Sequence, residues 1–304
     1  MADARIINLF HSLGVSLPEG KMPVPGPRNG ETIASLAADT PETIDEKITR
    51  ARIAQQAWQS KSRNEREEVL EALAGSIRAH RELLATLMTM DSGKTMKESL
   101  GEADGSEAIL YKTIKDASLP EFNNMYRCKE RVPAGLIGLI TSFNFPLVVA
   151  HWTIAPALLA GNAVLWKPSE KTPLVALAVK ALFDRLGQGD LLHIVIGGRE
   201  AGTMLVGHEG VDMVSATGSV GMGKAILAAL EQKKNNSIKP ILELGGNNGV
   251  VISDKISEAH LEWSVKALLN SFLGTAGQRC TNTRRVFVQR KVYDRTMRLF
   301  ERNV

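Results

Sequence analysis

Apolar positions follow two rhythms along this chain, and the change between them falls near residue 135. From residue 43 to about 117 hydrophobic residues recur at helical spacing. Within residues 63–78, for example, Val69, Leu70, Leu73 and Ile77 share one helix face. Thr43, with Glu46 three residues later, reads as the cap of the first of these helices. Ser92-Gly93-Lys94-Thr95 interrupts the helical run, and these helices carry no evident chemistry. The stretch before them, to about residue 40, reads as turn-rich. Pro23, Pro25 and Pro27 exclude residues 21–27 from helix and from an inner strand. Residues 31–37 read as a short strand.

From residue 136 short apolar runs alternate with helical stretches. Strands are expected at 136–140, 163–166, 193–196, 211–215 and 240–243. The helices between them end near Gly161 or cover 174–186, 199–206 and 221–230. A run such as Leu136-Ile137-Gly138-Leu139-Ile140, with no polar alternation, suits a strand buried on both faces. The alternation predicts an α/β fold, a parallel sheet with helices on both faces. After Gly246 the pattern resumes with a strand at 250–252, a helix at 258–272, a strand at 285–288 and a helix at 293–301. Ligands of such sheets bind outside the carboxyl ends of the strands. Asn144, Lys167, Glu170, Gly218 and Glu243 stand at or just beyond those ends, which predicts one site.

Composition bounds this picture without changing it. The 304 residues suffice for two domains, and 44% hydrophobic with 23% charged residues is ordinary for a soluble globular chain. The net charge of +4 is mild. The arginine-rich end, with Arg284, Arg285, Arg295, Arg298 and Arg302, reads as a solvated face or a partner surface rather than a nucleic-acid patch. Two cysteines, Cys128 and Cys280, make no disulfide framework and fit a reducing compartment. No signal-peptide pattern and no membrane-length apolar run is seen, so the expectation is a soluble cytoplasmic protein without a metal site.

The candidate chemistry centres on Gly274-Thr275-Ala276-Gly277-Gln278-Arg279-Cys280. Its small residues let backbone approach backbone or ligand closely. Taken alone, the run leaves two readings of Cys280 open: a nucleophile, or a small buried hydrophobe as most free cysteines are. Glu243 is a base or the cap of a turn. Asn144, before Phe145-Pro146, is a donor or an ordinary turn residue. Lys167 and Glu170 are ligand contacts or a surface ion pair. His151, in an apolar helix beside Trp152, reads as a packed core histidine. Residues 218–225 nearly match the phosphate loop G-x-x-x-x-G-K-[ST], but Ala225 replaces the hydroxyl that would hold magnesium.

Five motifs taken in order resemble the aldehyde dehydrogenase superfamily. They are Thr141-Ser142-Phe143-Asn144-Phe145-Pro146, Trp166-Lys167-Pro168-Ser169-Glu170, Thr217-Gly218-Ser219, Glu243-Leu244-Gly245-Gly246-Asn247-Asn248 and the Cys280 run. The resemblance covers about residue 20 to the end and is strongest to the aminoadipate-semialdehyde (piperideine-6-carboxylate) dehydrogenase branch. It implies a Rossmann-like, doubly wound NAD-binding domain over residues 1–245. The opening part of an α/β catalytic domain follows over 246–304. Residues 126–133 would form an arm strand that joins subunits of a homo-oligomer. The implied reaction is NAD-dependent oxidation of an aldehyde to an acid. Cys280 would be its nucleophile, Asn144 the oxyanion donor and Glu243 the water-activating base. Ser142, Phe143, Lys167, Glu170, Gly218, Ser219, Gly223 and Leu244 would contact the cofactor. Glu170 would favour NAD over NADP, and Arg279 would hold an acidic aldehyde. No nucleic acid or membrane partner is implied. The chain is expected to stop short of the family's usual length. It is therefore either an aldehyde dehydrogenase fragment or a shortened nucleotide binder that does not catalyse.

Overall fold

The computed structural model describes residues 2–117, 132–233 and 239–303. The arm strand expected at 126–133 falls outside the described residues except for its last two, and so does Cys128. The chain divides into two compact units, Met1–Glu243 and Leu244–Val304.

The first unit opens with a helix, α1 (Ala4–Ser12), where only turns were expected. Asp3 caps it by accepting the Arg5 N–H at 2.8 Å, and Ile6 and Phe10 bury its inner face. The prolines further on hid this short pattern. β1 (Glu19–Pro25) and β2 (Thr32–Leu36) form an antiparallel pair, so the proline-rich stretch is a strand with a free edge. The helices α2 (Pro41–Gln59), α3 (Arg63–Ala79), α4 (Arg81–Ser92) and α5 (Met96–Ala117) follow. The cap of α2 is Thr40, not Thr43. Pro41 begins the helix, and the Thr40 and Thr43 hydroxyls each accept the other's N–H, at 3.3 and 2.9 Å. Threonine here takes the reciprocal part that a glutamate usually plays.

The five-stranded sheet comes next. In chain order its elements are β3 (Leu136–Ile140), α6 (Val148–Leu159), β4 (Ala163–Lys167), α7 (Leu174–Arg185), β5 (Leu192–Ile194), α8 (Arg199–Gly207), β6 (Met213–Gly218), α9 (Val220–Glu231) and β7 (Ile241–Leu244). Their order across the sheet is β5-β4-β3-β6-β7, and β3 pairs parallel with both β4 and β6. All residues of β3 and β4 are buried, as strands covered on both faces require. The chain steps outward from β3 to β5, returns to place β6 beside β3, and continues to β7. That reversal makes a topological switch point between β3 and β6. Polar ties fix α2 to the far end of the sheet: Arg52 pairs with Asp212 at 2.7 Å, and Asp212 accepts the Leu136 N–H at 2.7 Å.

The second unit holds β8 (Asn248–Ile252), α10 (Glu258–Leu273), β9 (Thr283–Val288) and α11 (Arg290–Asn303). β8 and β9 pair in parallel, with Val250 opposite Val286. Ile252, Leu261, Leu268 and Val292 form its small core, and Phe272 stacks on Phe300 at 6.0 Å between ring centroids. Among the described residues no helix is long and apolar enough to cross a membrane.

Candidate functional site

The ends of β3 and β4 and the turns after β4, β5 and β6 build a cleft in the first unit. β4 ends at Lys167, whose side chain is buried although lysine is among the residues least often found inside. Its ammonium donates to the Pro168 carbonyl at 3.1 Å and stands 3.6 Å from the Glu170 carboxylate. Burial pulls the Lys167 ammonium below its usual range, and Glu170 offsets part of that shift. The pair is therefore not the surface ion pair that sequence allows, because one partner is inside. β6 runs on to Gly218, further than expected, and Ser219 then caps α9 by accepting the Met222 N–H at 3.1 Å. Gly223 is buried in the first turn of α9. A helix start of this kind presents unpaired N–H groups and positive potential to an anion.

These features line one cleft of about 520 Å³, walled by Ile140, Lys167, Glu170, Ser219, Gly221 and Met222. Its other wall is Gly198, Arg199, Gly202, Thr203 and Val206 of α8 and the turn before it, residues that sequence reasoning missed. The signal was present: Gly197-Gly198-Arg199 repeats, after β5, the pattern of strand, glycine and helix seen after β6.

The turn between β3 and α6 carries Ser142, Phe143 and Asn144. The Ser142 hydroxyl donates to Asn144 Oδ1 at 2.6 Å, which fixes the carboxamide edge. Thr172 donates to the Phe143 carbonyl at 3.3 Å, and Lys171 lies over the exposed Phe143 ring at 5.1 Å. Glu243, exposed near the end of β7, lines a separate cavity of about 340 Å³ with Trp152, Thr153, Ser215 and Thr217. His151 is fully buried with Nδ1 3.1 Å from the Leu147 carbonyl, and burial pulls its pKa down to about 4. It is a core histidine.

The second unit carries Leu244, Arg279 and Cys280. α10 runs into a tight turn in which Thr275 and Ala276 have φ of 53° and 54°, and Gly277 follows at 70°. Consecutive left-handed residues with side chains are strained, and such outliers cluster at functional positions. The turn delivers Cys280 to solvent as an exposed free thiol. Asn248 of β8 donates to the Cys280 carbonyl at 2.7 Å and to the Asn282 carbonyl at 3.0 Å, tying the thiol's backbone to the strand. Arg279 is exposed, and its Nε donates to Thr275 Oγ1 at 3.0 Å within the same turn. Among the described residues no group of histidine, cysteine and carboxylate side chains has the arrangement of a metal site.

Strand order, switch point and cleft define a doubly wound α/β unit, followed by a smaller α/β unit that presents a thiol. Residues 16–304 match the family described as Aldehyde dehydrogenase family, and the chain belongs to that family. It is 40% identical over 270 residues to N-succinylglutamate 5-semialdehyde dehydrogenase 1 of Caulobacter vibrioides, covering 86% of this chain and 56% of that protein. It is 33% identical over 280 residues to alpha-aminoadipic semialdehyde dehydrogenase of Rattus norvegicus, covering 88% of this chain and 51% of that one. A solved structure of 3,6-anhydro-L-galactose dehydrogenase in complex with NAP superposes with a TM-score of 0.86 at 32% identity, covering 96% of this chain and 62% of that chain. The chain thus spans about half the length of the curated relatives it matches. The aminoadipate-semialdehyde branch is among these relatives, beside branches named for other aldehydes.

Proposed function

We propose that the chain carries the cofactor-binding half and the nucleophile of an enzyme that oxidises an aldehyde to a carboxylic acid with NAD. Exposure of Cys280 at the end of a strained turn carries this reading, because free cysteines are among the most buried residues. Its thiolate attacks the aldehyde carbon and forms a thiohemiacetal. The Asn144 carboxamide and the Cys280 N–H stabilise the oxyanion that develops. Bound in the cleft, the nicotinamide cofactor supplies a hydride acceptor. Glu243 takes a proton from water, which releases the acid from the Cys280 thioester.

The cleft fits such a cofactor. The start of α9 and Ser219 suit a pyrophosphate, and Lys167 with Glu170 suits ribose hydroxyls; Ser142, Phe143, Gly218, Gly223 and Leu244 would supply further contacts to the cofactor. The Glu170 carboxylate repels a 2′-phosphate and so favours NAD. Arg279 would pair with the far carboxylate of an acidic aldehyde such as aminoadipate semialdehyde. A homo-oligomer in the cytoplasm, without nucleic-acid or membrane partners, belongs to the same reading, and sedimentation of the chain checks its oligomeric part.

An NAD-reduction assay with aminoadipate semialdehyde tests the activity. Cys280→Ala is expected to lower turnover on the order of 10³-fold or more. The cleft lies wholly within the first unit, and this favours a second reading, nucleotide binding without catalysis. Cofactor binding by calorimetry with no turnover in the unsubstituted chain would establish that reading instead.

A further inference from the structure

Glu102 and Lys94 lie on or beside helices to which sequence assigns no chemistry, yet both end at the turn that carries Asn144. Glu102 is on α5 and is buried. Its Oε1 accepts the N–H of Leu147 at 2.9 Å and of Val148 at 3.0 Å. These are orphan donors at the start of α6, and the cap residue Leu147 has no side chain able to satisfy them. The other carboxylate oxygen pairs with the Lys94 ammonium, which is also buried. That ammonium in turn sits 4.8 Å from the centroid of the Phe145 ring. The pair therefore grips the chain on both sides of Pro146, within four residues of Asn144. On the other side, Ser142 holds Asn144 Oδ1, and the Thr141 N–H donates to the Lys167 carbonyl at 3.1 Å.

A serine or aspartate at position 147 would cap α6 at far lower cost than two desolvated charges. What the distant pair adds is a rigid link between the turn and the helical layer behind it. A buried ion pair is weak evidence for stability and better suited to fixing one geometry. We propose that the Lys94–Glu102 pair is a positioning device for the Asn144 carboxamide, setting the oxyanion donor before substrate arrives. This rests on the oxyanion role proposed for Asn144. Neither Lys94 nor Glu102 touches the reacting atoms; both act through the 144–148 backbone.

The test compares the unsubstituted chain with Glu102→Gln and with the double variant Lys94→Met/Glu102→Leu. The first keeps a carbonyl acceptor. The second removes both charges of the pair together, and the buried Asp91 beside them is left a carboxyl whose pKa burial already raises, so the variant keeps the test alive if a single variant fails to fold. Amide exchange at Leu147 and Val148 is expected to rise about tenfold or more in the double variant and less in Glu102→Gln. The ¹⁵N-labelled Asn144 carboxamide signals are expected to shift toward those of a mobile amide. Turnover is expected to fall on the order of tenfold to a hundredfold, with the KM for NAD unchanged. In an Asn144→Ala background the double variant is expected to cost nothing further, since the residues act as one unit.

Unchanged exchange and carboxamide signals overturn the proposal, whether or not the chain turns over. Losses that multiply with Asn144→Ala reduce the pair to a structural part and overturn it too. If Asn144→Ala alone leaves turnover intact, the oxyanion reading falls first, and the proposal falls with it.

Discussion

Every residue of β3 and β4 is buried in the first unit, whereas β8 in the second buries only Ile252 and β9 buries none. The first unit packs one continuous core from α1 to α9. Among its described residues the second has five buried apolar side chains, four of them packed into one cluster, and Val251, Trp263 and Phe287 stand 77%, 70% and 53% exposed. Hydrophobic stabilisation follows apolar area removed from water, so the two parallel sheets differ in how firmly they hold what they carry. The cleft proposed for the cofactor rests on the firm one. Cys280 rests on a turn held by a few polar contacts, chiefly those of Asn248 and Thr275.

The widest test of this contrast uses one leucine from each core. Leu165 of β4 and Leu261 of α10 are both fully buried. Alanine at either site should cost about 2–5 kcal/mol of local stability. The consequences should differ. Leu165→Ala should lower the urea midpoint read by the buried Trp166, while Leu261→Ala should free only amides of residues 244–303 to exchange. If Leu261→Ala shifts the Trp166 transition by an equal amount, the two units unfold as one and the contrast fails.

Acid should separate the units next. Burial draws His151 and His193 of the first unit from 6.5 down to about 4, with the Lys180 and Arg50 charges adding to the shift at His193. Folded imidazoles refuse protons that the unfolded chain takes up below pH 6.5. Stability conferred by the neutral rings is therefore whole above pH 6.5 and lost as pH falls toward 4. Each contributes up to about 3 kcal/mol across that window. Asp91 runs the other way, because burial raises its pKa well above 3.8: its contribution is whole below 3.8 and lost as pH rises through its folded value. The histidine part is thus read as a difference. Between pH 7 and pH 4, His151→Gln should lose less urea stability than the unsubstituted chain, and equal losses would sink the assignment.

Much of this contrast was legible in the residues, for reasons that also mark where reading stopped. The apolar runs of β3 and β4 announce strands covered on both faces, and the glycine that closes β6 announces a helix start at that strand's end. α1 went unread because nine residues of amphipathic pattern lie beside a proline-rich stretch. Thr43 and Glu46 imitate a capping box that Thr40 and Thr43 in fact form, since a hydroxyl can play either part. Lys167 stays open between ligand contact and surface ion pair because charged residues seldom lie inside, and only the packed strand end shows its side chain buried. Glu102 could not be found at all. Its partners, the cap and first residue of α6, lie 45 and 46 residues away, so the role exists only once α5 and α6 pack. Likewise, the letters of the Cys280 run show that a tight turn is possible, but not that Thr275 and Ala276, rather than a glycine alone, take the left-handed backbone.

The smallest predicted effect probes that turn. Ala276 is exposed and its φ is 54°, a conformation that costs a residue with Cβ roughly 1–2 kcal/mol. Glycine removes this cost and adds about 0.5–1 kcal/mol of unfolded-state entropy. Ala276→Gly should therefore leave the second unit as stable or up to about 1.5 kcal/mol more stable, read by amide exchange around residues 271–283. Thr275→Gly relieves the same strain at a buried position, but it also deletes the hydroxyl that donates to the Gly274 carbonyl at 2.7 Å and accepts from Arg279 at 3.0 Å. It should destabilise, giving neighbouring substitutions opposite signs. If both weaken the unit alike, the backbone there is not strained and the turn holds by ordinary packing. If Ala276→Gly stabilises while slowing aldehyde turnover severalfold, the strain is what keeps the thiol in place. In that case the less stable unit stores in three left-handed residues the positional control that the first unit draws from its core.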